Sequence, residues 1–208
     1  MIYNSGANFY RFIMANVDEY LKKLKEVTGD ELFDHLKIAY VRAEEAHKNQ
    51  KRFDGTPYIV HPLRVAIILA EELKIYDDKI LKTALLHDVL EDTTMKAGEI
   101  EELFGTKVTE YVQLLTKDKD FKTDLEAQNR YYKNLKKAPK KVQLIKLADR
   151  LDNIRDLETV TDEMRIRKYI MDTSYNFLDW AKKINQYIAA EMEDMIFLYR
   201  DKFGDFDI

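Results

Sequence analysis

Residues 83–94 read TALLHDVLEDTT and place His87, Asp88, Glu91 and Asp92 within six positions of one another. An imidazole and three carboxylates at that density can hold a cation and still leave a carboxylate to move protons. On a helical wheel at about 100° per residue the four share one arc of roughly 140°, opposite Leu85, Leu86, Val89 and Leu90. A plain amphipathic helix with a solvated acidic face reads the same way. Asp88 and Asp92 at i,i+4 repel by only about 0.2–0.5 kcal/mol in water, so crowding alone decides nothing. Two other places carry matching chemistry. In LIKLADRLDNIRDL, Asp149, Asn153 and Asp156 lie at i, i+4 and i+7, a polar stripe on a helix that also carries Leu144, Leu147 and Leu151. His61 precedes Pro62, and proline suits a first helical turn because its missing N–H had no partner there, so His61 is expected at a helix start. Two imidazoles and two carboxylates brought together would suit a borderline divalent ion such as manganese, iron or zinc.

The elements that must position these groups read as helices throughout. Only three prolines and six glycines interrupt the chain of 208 residues. Apolar residues recur three and four apart in YLKKLKEV, LFDHLKIAYVRAEEAHKNQ and LRVAIILAEEL. QKRFDGTPYIV, residues 50–60, collects Asp54, Gly55 and Pro57 and reads as a loop. KILKTALLHDVLED is expected as one buried helix, AGEIEELFG as a short helix closed by Gly105, and KVTEYVQLLTK as another. KDKDFKTD is a charged connection. LEAQNRYYKNLKKA runs helical up to Pro139, KKVQLIKLADRLDNIRDLE follows, and most of 162–201 reads as one long or broken helix. No segment alternates as a strand would, so the expectation is an all-α fold in a single domain spanning 1–208.

Composition narrows the chemistry. There is no cysteine, which excludes disulfides and thiolate ligands and leaves any metal to His, Asp and Glu. Lys and Arg number 34 against 38 Asp and Glu, a net charge of −4 that argues against broad nucleic-acid binding. The basic run KNLKKAPKK is short and reads as a solvated turn. A small phosphorylated ligand needs only a local cluster of cations and stays open. MIYNSGANFYRFIMANVDEY lacks a basic start followed by an apolar core, so no signal peptide is expected. No apolar run approaches a bilayer-spanning length. The expectation is a cytoplasmic protein with no membrane or nucleic-acid partner; its oligomeric state is not legible.

The segments AYVRAEEAHKNQKRFDGTPYIVHPLRVAIIL, ALLHDVLEDT, ELFGTKVTEYVQLLTK and LIKLADRLDNIRDL, taken together and in this order, resemble the hydrolase domain of the RelA/SpoT homologues. That family belongs to the HD-domain metal-dependent phosphohydrolases, and the resemblance covers about residues 38–158. With no synthetase or regulatory region following, the chain looks most like a stand-alone small alarmone hydrolase. The resemblance implies an HD-domain helical bundle with His61, His87, Asp88 and Asp149 as metal ligands. Manganese is the usual ion, and another divalent ion is possible. It implies Glu91 and Asp92 as the catalytic acidic pair, one turn beyond the ligands. The implied reaction removes the 3′-pyrophosphate of guanosine 3′,5′-bis(diphosphate) or the pentaphosphate, leaving GDP or GTP.

By the same resemblance, Arg52 matches a loop arginine that packs on the purine, and a planar guanidinium can stack on a base while keeping its charge. Asn153 matches an asparagine near the sugar and phosphates. Lys117 and Lys119 lie where relatives carry a basic residue near the terminal phosphates. His47 reads as packing or hydrogen bonding, His35 has no motif, and Tyr175 and Asn176 carry no assigned role. The aromatic residues after 165 read as core. Four positions depart from the family pattern. Phe53 stands where lysine is usual and Asp54 where serine is frequent. Asp152 replaces His or Tyr, and Asp156 replaces threonine. None is expected to touch the ligands; they bear on how guanine and its phosphates are read. Two other functions remain compatible: an HD phosphohydrolase of another nucleotide, such as an adenosine alarmone or the 2′-phosphate of NADPH, and a non-catalytic nucleotide sensor.

Overall fold

Helix boundaries follow local capping chemistry. In the computed structural model, which describes residues 16–204, α1 (Val17–Thr28) starts at Asn16, whose side chain accepts from the Glu19 N–H at 3.2 Å. The reading of the N-terminal segment as free of a signal peptide rests largely on residues 1–15, which lie outside the described residues. Then come α2 (Asp30–His47), α3 (Val60–Ile67), α4 (Asp78–Leu86), α5 (Val89–Asp92), α6 (Ala97–Phe104) and α7 (Thr106–Leu115). The second half holds α8 (Leu125–Leu135), α9 (Lys140–Arg155), α10 (Glu163–Asp172), α11 (Leu178–Ile184) and α12 (Gln186–Phe203). Short π turns at Ile68–Glu72 and Thr173–Phe177 extend α3 and α10. Among the described residues the one β feature is an isolated bridge, Lys51 to Pro57. It closes the 50–60 loop, where Gly55 takes a φ of 85°.

The core is one connected cluster of buried side chains running from Tyr20 to Tyr199. At its centre lies α9, which packs on α3, α4, α7, α11 and α12. Because partners surround it, α9 is buried on nearly every face, and its polar residues Lys146, Asp149, Arg150 and Asp152 are buried with it. Burying charge is costly unless each group is paired, so this helix must carry its counter-ions inside the fold.

One helix expectation fails where the chemistry lies. Residues 79–92 do not form a single helix: α4 ends at Leu86 and α5 begins at Val89. His87 Nδ1 turns back to the Ala84 carbonyl oxygen at 2.7 Å, and Asp88 takes φ −101°, ψ −6°. The step removes His87 from any solvated face, leaving it only 2% exposed. The single-wheel picture of a wet acidic stripe is therefore wrong for this segment.

Candidate metal centre and catalytic cavity

Three separate parts of the chain converge at the step between α4 and α5. His61, in the first turn of α3, brings its Nε2 to 3.2 Å from His87 Nε2. Asp88 Oδ2 lies 3.2 Å from His87 Nε2 and 3.7 Å from His61 Nε2. Asp149, midway along α9, places Oδ1 at 3.2 Å and 3.8 Å from the same two nitrogens. Ligand atoms about 2.0–2.2 Å from a common ion stand about 3.0–3.5 Å apart, close to these separations. His61, His87 and Asp88 form a set whose ligand atoms all lie within 4.8 Å of one another. Asp149 joins through the histidines rather than through Asp88.

The outer hydrogen bonds decide what the inner atoms can do. His61 Nδ1 sits 2.6 Å from Asp152 Oδ2, and His87 Nδ1 faces the Ala84 carbonyl oxygen. Each Nδ1 has an acceptor opposite and must donate, so each Nε2 presents a lone pair inward. Two imine nitrogens and two carboxylates then meet with no donor among them, and that donor set fits a cation. A proton substitutes in its absence. Burial opposes charge on His87, but the Asp88 and Asp149 carboxylates outweigh it and push the pKa up to about 10. Burial also works against ionised Asp88, and the neighbouring His87 holds it far below the usual carboxylate range. Asp149 is likewise held low, with Lys146 opposing the cost of burial.

A cavity of about 270 Å³ opens beside this cluster. Tyr58, Asp88, Glu91, Asp92 and Asn153 line it on the side of the candidate ligands. Lys117, Lys146 and Arg150 line it with Phe121, Tyr132, Tyr169, Asp172 and Phe177. Glu91 is clamped: Lys117 donates from Nζ at 2.9 Å and from its backbone N–H at 3.1 Å. Asp92 is exposed at the rim, and partial desolvation together with the Asp88 and Glu91 charges raises its pKa. Tyr58 donates its hydroxyl to Asp88 at 2.6 Å and stacks on His47 with centroids 4.6 Å apart. His47 Nδ1 meets Gln50 Oε1 at 2.8 Å, and Gln50 Nε2 donates to the Asp92 carbonyl at 2.6 Å. Packing and hydrogen bonding are thus what His47 does, as expected.

The remaining residues singled out by sequence fall unevenly. Asn153 lines the cavity and donates from Nδ2 to Asp149 Oδ1 at 2.6 Å. Arg52 is no ordinary surface arginine. Its side chain is 9% exposed, and it donates to Asp156 Oδ2 at 2.6 Å and Asn153 Oδ1 at 2.9 Å. It does not line the cavity. Lys117 does, whereas Lys119, in the 3₁₀ turn Lys119–Lys122, is exposed and away from it, because that turn carries it outward. Asp152 corrects a second expectation. The central burial of α9 presses it directly against His61, so a position read as remote from the ligands touches one. Tyr175 is 61% exposed, and Asn176 donates to Asp172 Oδ1 at 2.7 Å.

Sequence reasoning missed four contributors: Tyr58, Arg64, Lys146 and Arg150. Lys146 Nζ lies 2.6 Å from Asp149 Oδ2. Arg150 is gripped between the Tyr169 and Phe177 rings, 3.8 Å and 4.3 Å from their centroids. So Tyr169 and Phe177 are packed as expected and yet wall the cavity. A signal was available, since LIKLADRL sets a lysine and an arginine within a leucine frame, where charge signals a buried partner.

The HD domain family model matches residues 39–177. A guanosine-3′,5′-bis(diphosphate) 3′-pyrophosphohydrolase of Aquifex aeolicus (strain VF5) is 38% identical over 169 residues, 80% of this chain and 24% of that one. The Danio rerio protein named guanosine-3′,5′-bis(diphosphate) 3′-pyrophosphohydrolase MESH1 is 37% identical over 148 residues, 68% of this chain and 77% of that one. The chain spans about a quarter of the length of the larger curated relatives it matches. A solved structure of a metazoan ortholog of SpoT, described as hydrolysing ppGpp, superposes with a TM-score of 0.72 at 31% identity. That match covers 81% of this chain and 96% of the other. An all-α bundle in which His61 of α3 and Asp149 of α9 meet His87 and Asp88 at the step between α4 and α5, matched over these lengths, places the chain in the HD domain family, among the RelA/SpoT-homologue hydrolase domains.

Proposed function

We propose that this protein is a metal-dependent hydrolase that removes the 3′-pyrophosphate of guanosine 3′,5′-bis(diphosphate) and of the pentaphosphate, giving GDP or GTP and pyrophosphate. The observation that carries the reading is the inward meeting of His61, His87, Asp88 and Asp149 beside a cavity that also holds Glu91 and Asp92. These four would hold the ion, and manganese suits a mixed nitrogen and oxygen set. When bound, a divalent cation supplies Lewis-acid polarisation of a phosphoryl oxygen and lowers the pKa of water.

The chain's own residues do the rest. Asp92, with its raised pKa and rim position, accepts the proton of the attacking water. Glu91, fixed by Lys117, orients that water. The water oxygen adds to the phosphorus next to the ribose, the bond from phosphorus to the 3′-oxygen breaks, and the 3′-oxygen takes a proton as pyrophosphate departs. Lys117, Lys146 and Arg150 set positive charge along the wall facing the phosphates. Asn153 meets the sugar and phosphate region, and Arg52 supports it from behind. Lys119 serves the phosphates only at long range. We place the work of this single domain in the cytoplasm; no helix of the described residues is long and apolar enough to cross a membrane.

The test is a nucleotide panel with Mn²⁺: guanosine tetraphosphate and pentaphosphate, an adenosine alarmone, and NADPH. The expected products are GDP or GTP plus pyrophosphate. Turnover of NADPH alone, releasing orthophosphate, would replace the proposed substrate. If the parent hydrolyses bound nucleotide no faster than a Glu91→Ala, Asp92→Ala variant, the protein is a sensor.

A further inference from the structure

The two sides of the candidate metal centre are joined by an unbroken chain of buried and partly buried polar contacts that leaves one ligand and returns to another. It starts at His61, whose Nδ1 meets Asp152 Oδ2 at 2.6 Å. Arg64, one turn along α3, clamps the same carboxylate from Nε at 2.7 Å and Nη2 at 3.0 Å. Its Nη2 also reaches Asp156 Oδ1 at 3.0 Å. Asp156 Oδ2 then receives Arg52 at 2.6 Å, and Arg52 Nη2 donates to Asn153 Oδ1 at 2.9 Å. Asn153 returns to Asp149 Oδ1 at 2.6 Å.

A simple packing network would serve to hold α3 against α9, and this one does so. Two features go beyond that. The side chains of Asp152 and Asp156 are 4% and 8% exposed, and two guanidiniums balance them, so the circuit is internally neutral and leaves the ligand charges to the ion. Its contacts are also directional. Asp152 takes the one ring nitrogen of His61 that does not face the ligand cluster, which fixes both the tautomer and the tilt of the ring. Arg64 bonds both oxygens of Asp152 and so prevents that carboxylate from rotating toward the cluster as a competing ligand.

We infer that Asp152, locked by Arg64, is a positioning residue for the metal centre, and that Arg52 extends the same lock to the 50–60 loop. The loop arginine is then first a strut of the ion site, and loop order and ion affinity are linked through it. The inference rests on the metal centre proposed above.

Protein stripped with EDTA and titrated with Mn²⁺, with free ion followed by electron paramagnetic resonance, reads the effect directly. Asp152→Ala is expected to weaken Mn²⁺ binding by about 10–100-fold. Arg64→Gln, which keeps the carboxylate but frees it to rotate, is expected to weaken it several-fold, and Asp152→Glu to recover part of the loss. In the parent, Mn²⁺ is expected to slow amide exchange across residues 50–60, and Arg52→Ala to abolish that protection. Circular dichroism confirms folding in each case; Asp152→Asn, nearly isosteric, stands in should the alanine variant not fold. A lower melting temperature with Mn²⁺ affinity within twofold of the parent, for Asp152 and Arg64 variants alike, would overturn the inference and reduce the circuit to packing. Loss of Mn²⁺ binding by the parent itself would instead overturn the metal centre on which it rests.

Discussion

A single histidine shows how the metal centre is poised. His87 is buried between two carboxylates that push its pKa up to about 10, well above the ordinary 6.5. The ion-free protein therefore gains stability from the imidazolium that is complete below about 6.5 and fades as pH climbs toward 10. A cation entering the proposed centre would displace that proton. Calorimetry of Mn²⁺ binding in two buffers of different ionisation enthalpy should find about one proton released near neutral pH. Affinity should rise close to tenfold per pH unit across pH 6–8. No proton release would mean that His87 does not meet the ion. Asp92 shifts stability with pH in the same direction, but by the opposite preference for charge. Its raised pKa means that the fold disfavours the ionised form, so ion-free stability falls as pH rises above the ordinary 3.8. Asp92→Asn should leave the ion-free protein at least as heat-stable as the parent at pH 7, with any advantage shrinking as the pH is lowered. Hydrolysis should drop by about 10²–10⁴-fold. His87, Asp88, Glu91 and Asp92 were legible because the chain has only four histidines and one of them sits tightly spaced among three carboxylates. Asp152 and Arg64 were not, since a buried carboxylate and its arginine look like surface residues until the face of α9 is known.

Elements carry the second kind of information, and their junctions carry most of it. Helices α1, α2 and α6 to α9 follow the apolar period and the glycines, while the α4 to α5 step escaped it. That step arises because the His87 side chain competes for a carbonyl the helix would otherwise use, a choice that periodicity does not record. Gly105 ends α6 and opens α7 at φ 81°, ψ 164°, backbone that L side chains strongly disfavour. Nothing lies within 4 Å of a Cβ built there, so the cost of Gly105→Ala is backbone strain alone. We expect a loss of about 1–3 kcal/mol in urea unfolding, with no change in Mn²⁺ affinity. Arg150 ties α9 to α10 and the π turn after it. It donates to Thr173 Oγ1 at 2.8 Å and to the Tyr169 carbonyl at 3.1 Å, and it pairs with Asp172. Arg150→Ala removes that tie and both ring contacts, and should cost about 2–4 kcal/mol in the same measurement while opening the cavity wall.

At the scale of the whole molecule, an ion held by the proposed centre would become part of the fold. If the centre binds in the native state only, Mn²⁺ at one hundred times its dissociation constant adds about 2.7 kcal/mol. For a chain of this length that is a rise in melting temperature of roughly 5–10 °C, which EDTA should reverse. Equal melting temperatures with and without the ion would mean that the four side chains do not act together. The resemblance to the RelA/SpoT homologues implied His61, His87, Asp88 and Asp149 as the ligand set, while the amino-acid sequence by itself determined the helical class and the absence of thiolate chemistry. It did so because apolar period and residue type are local properties, readable within a few turns. Tertiary packing alone decided that these groups meet, that Asp152 backs His61, that Arg52 faces inward and that Lys119 faces out. The physical reason is that burial gives each charge its partner. Which side chains lie against α9 is set by the packing of helices from both halves of the chain, not by its neighbours in sequence.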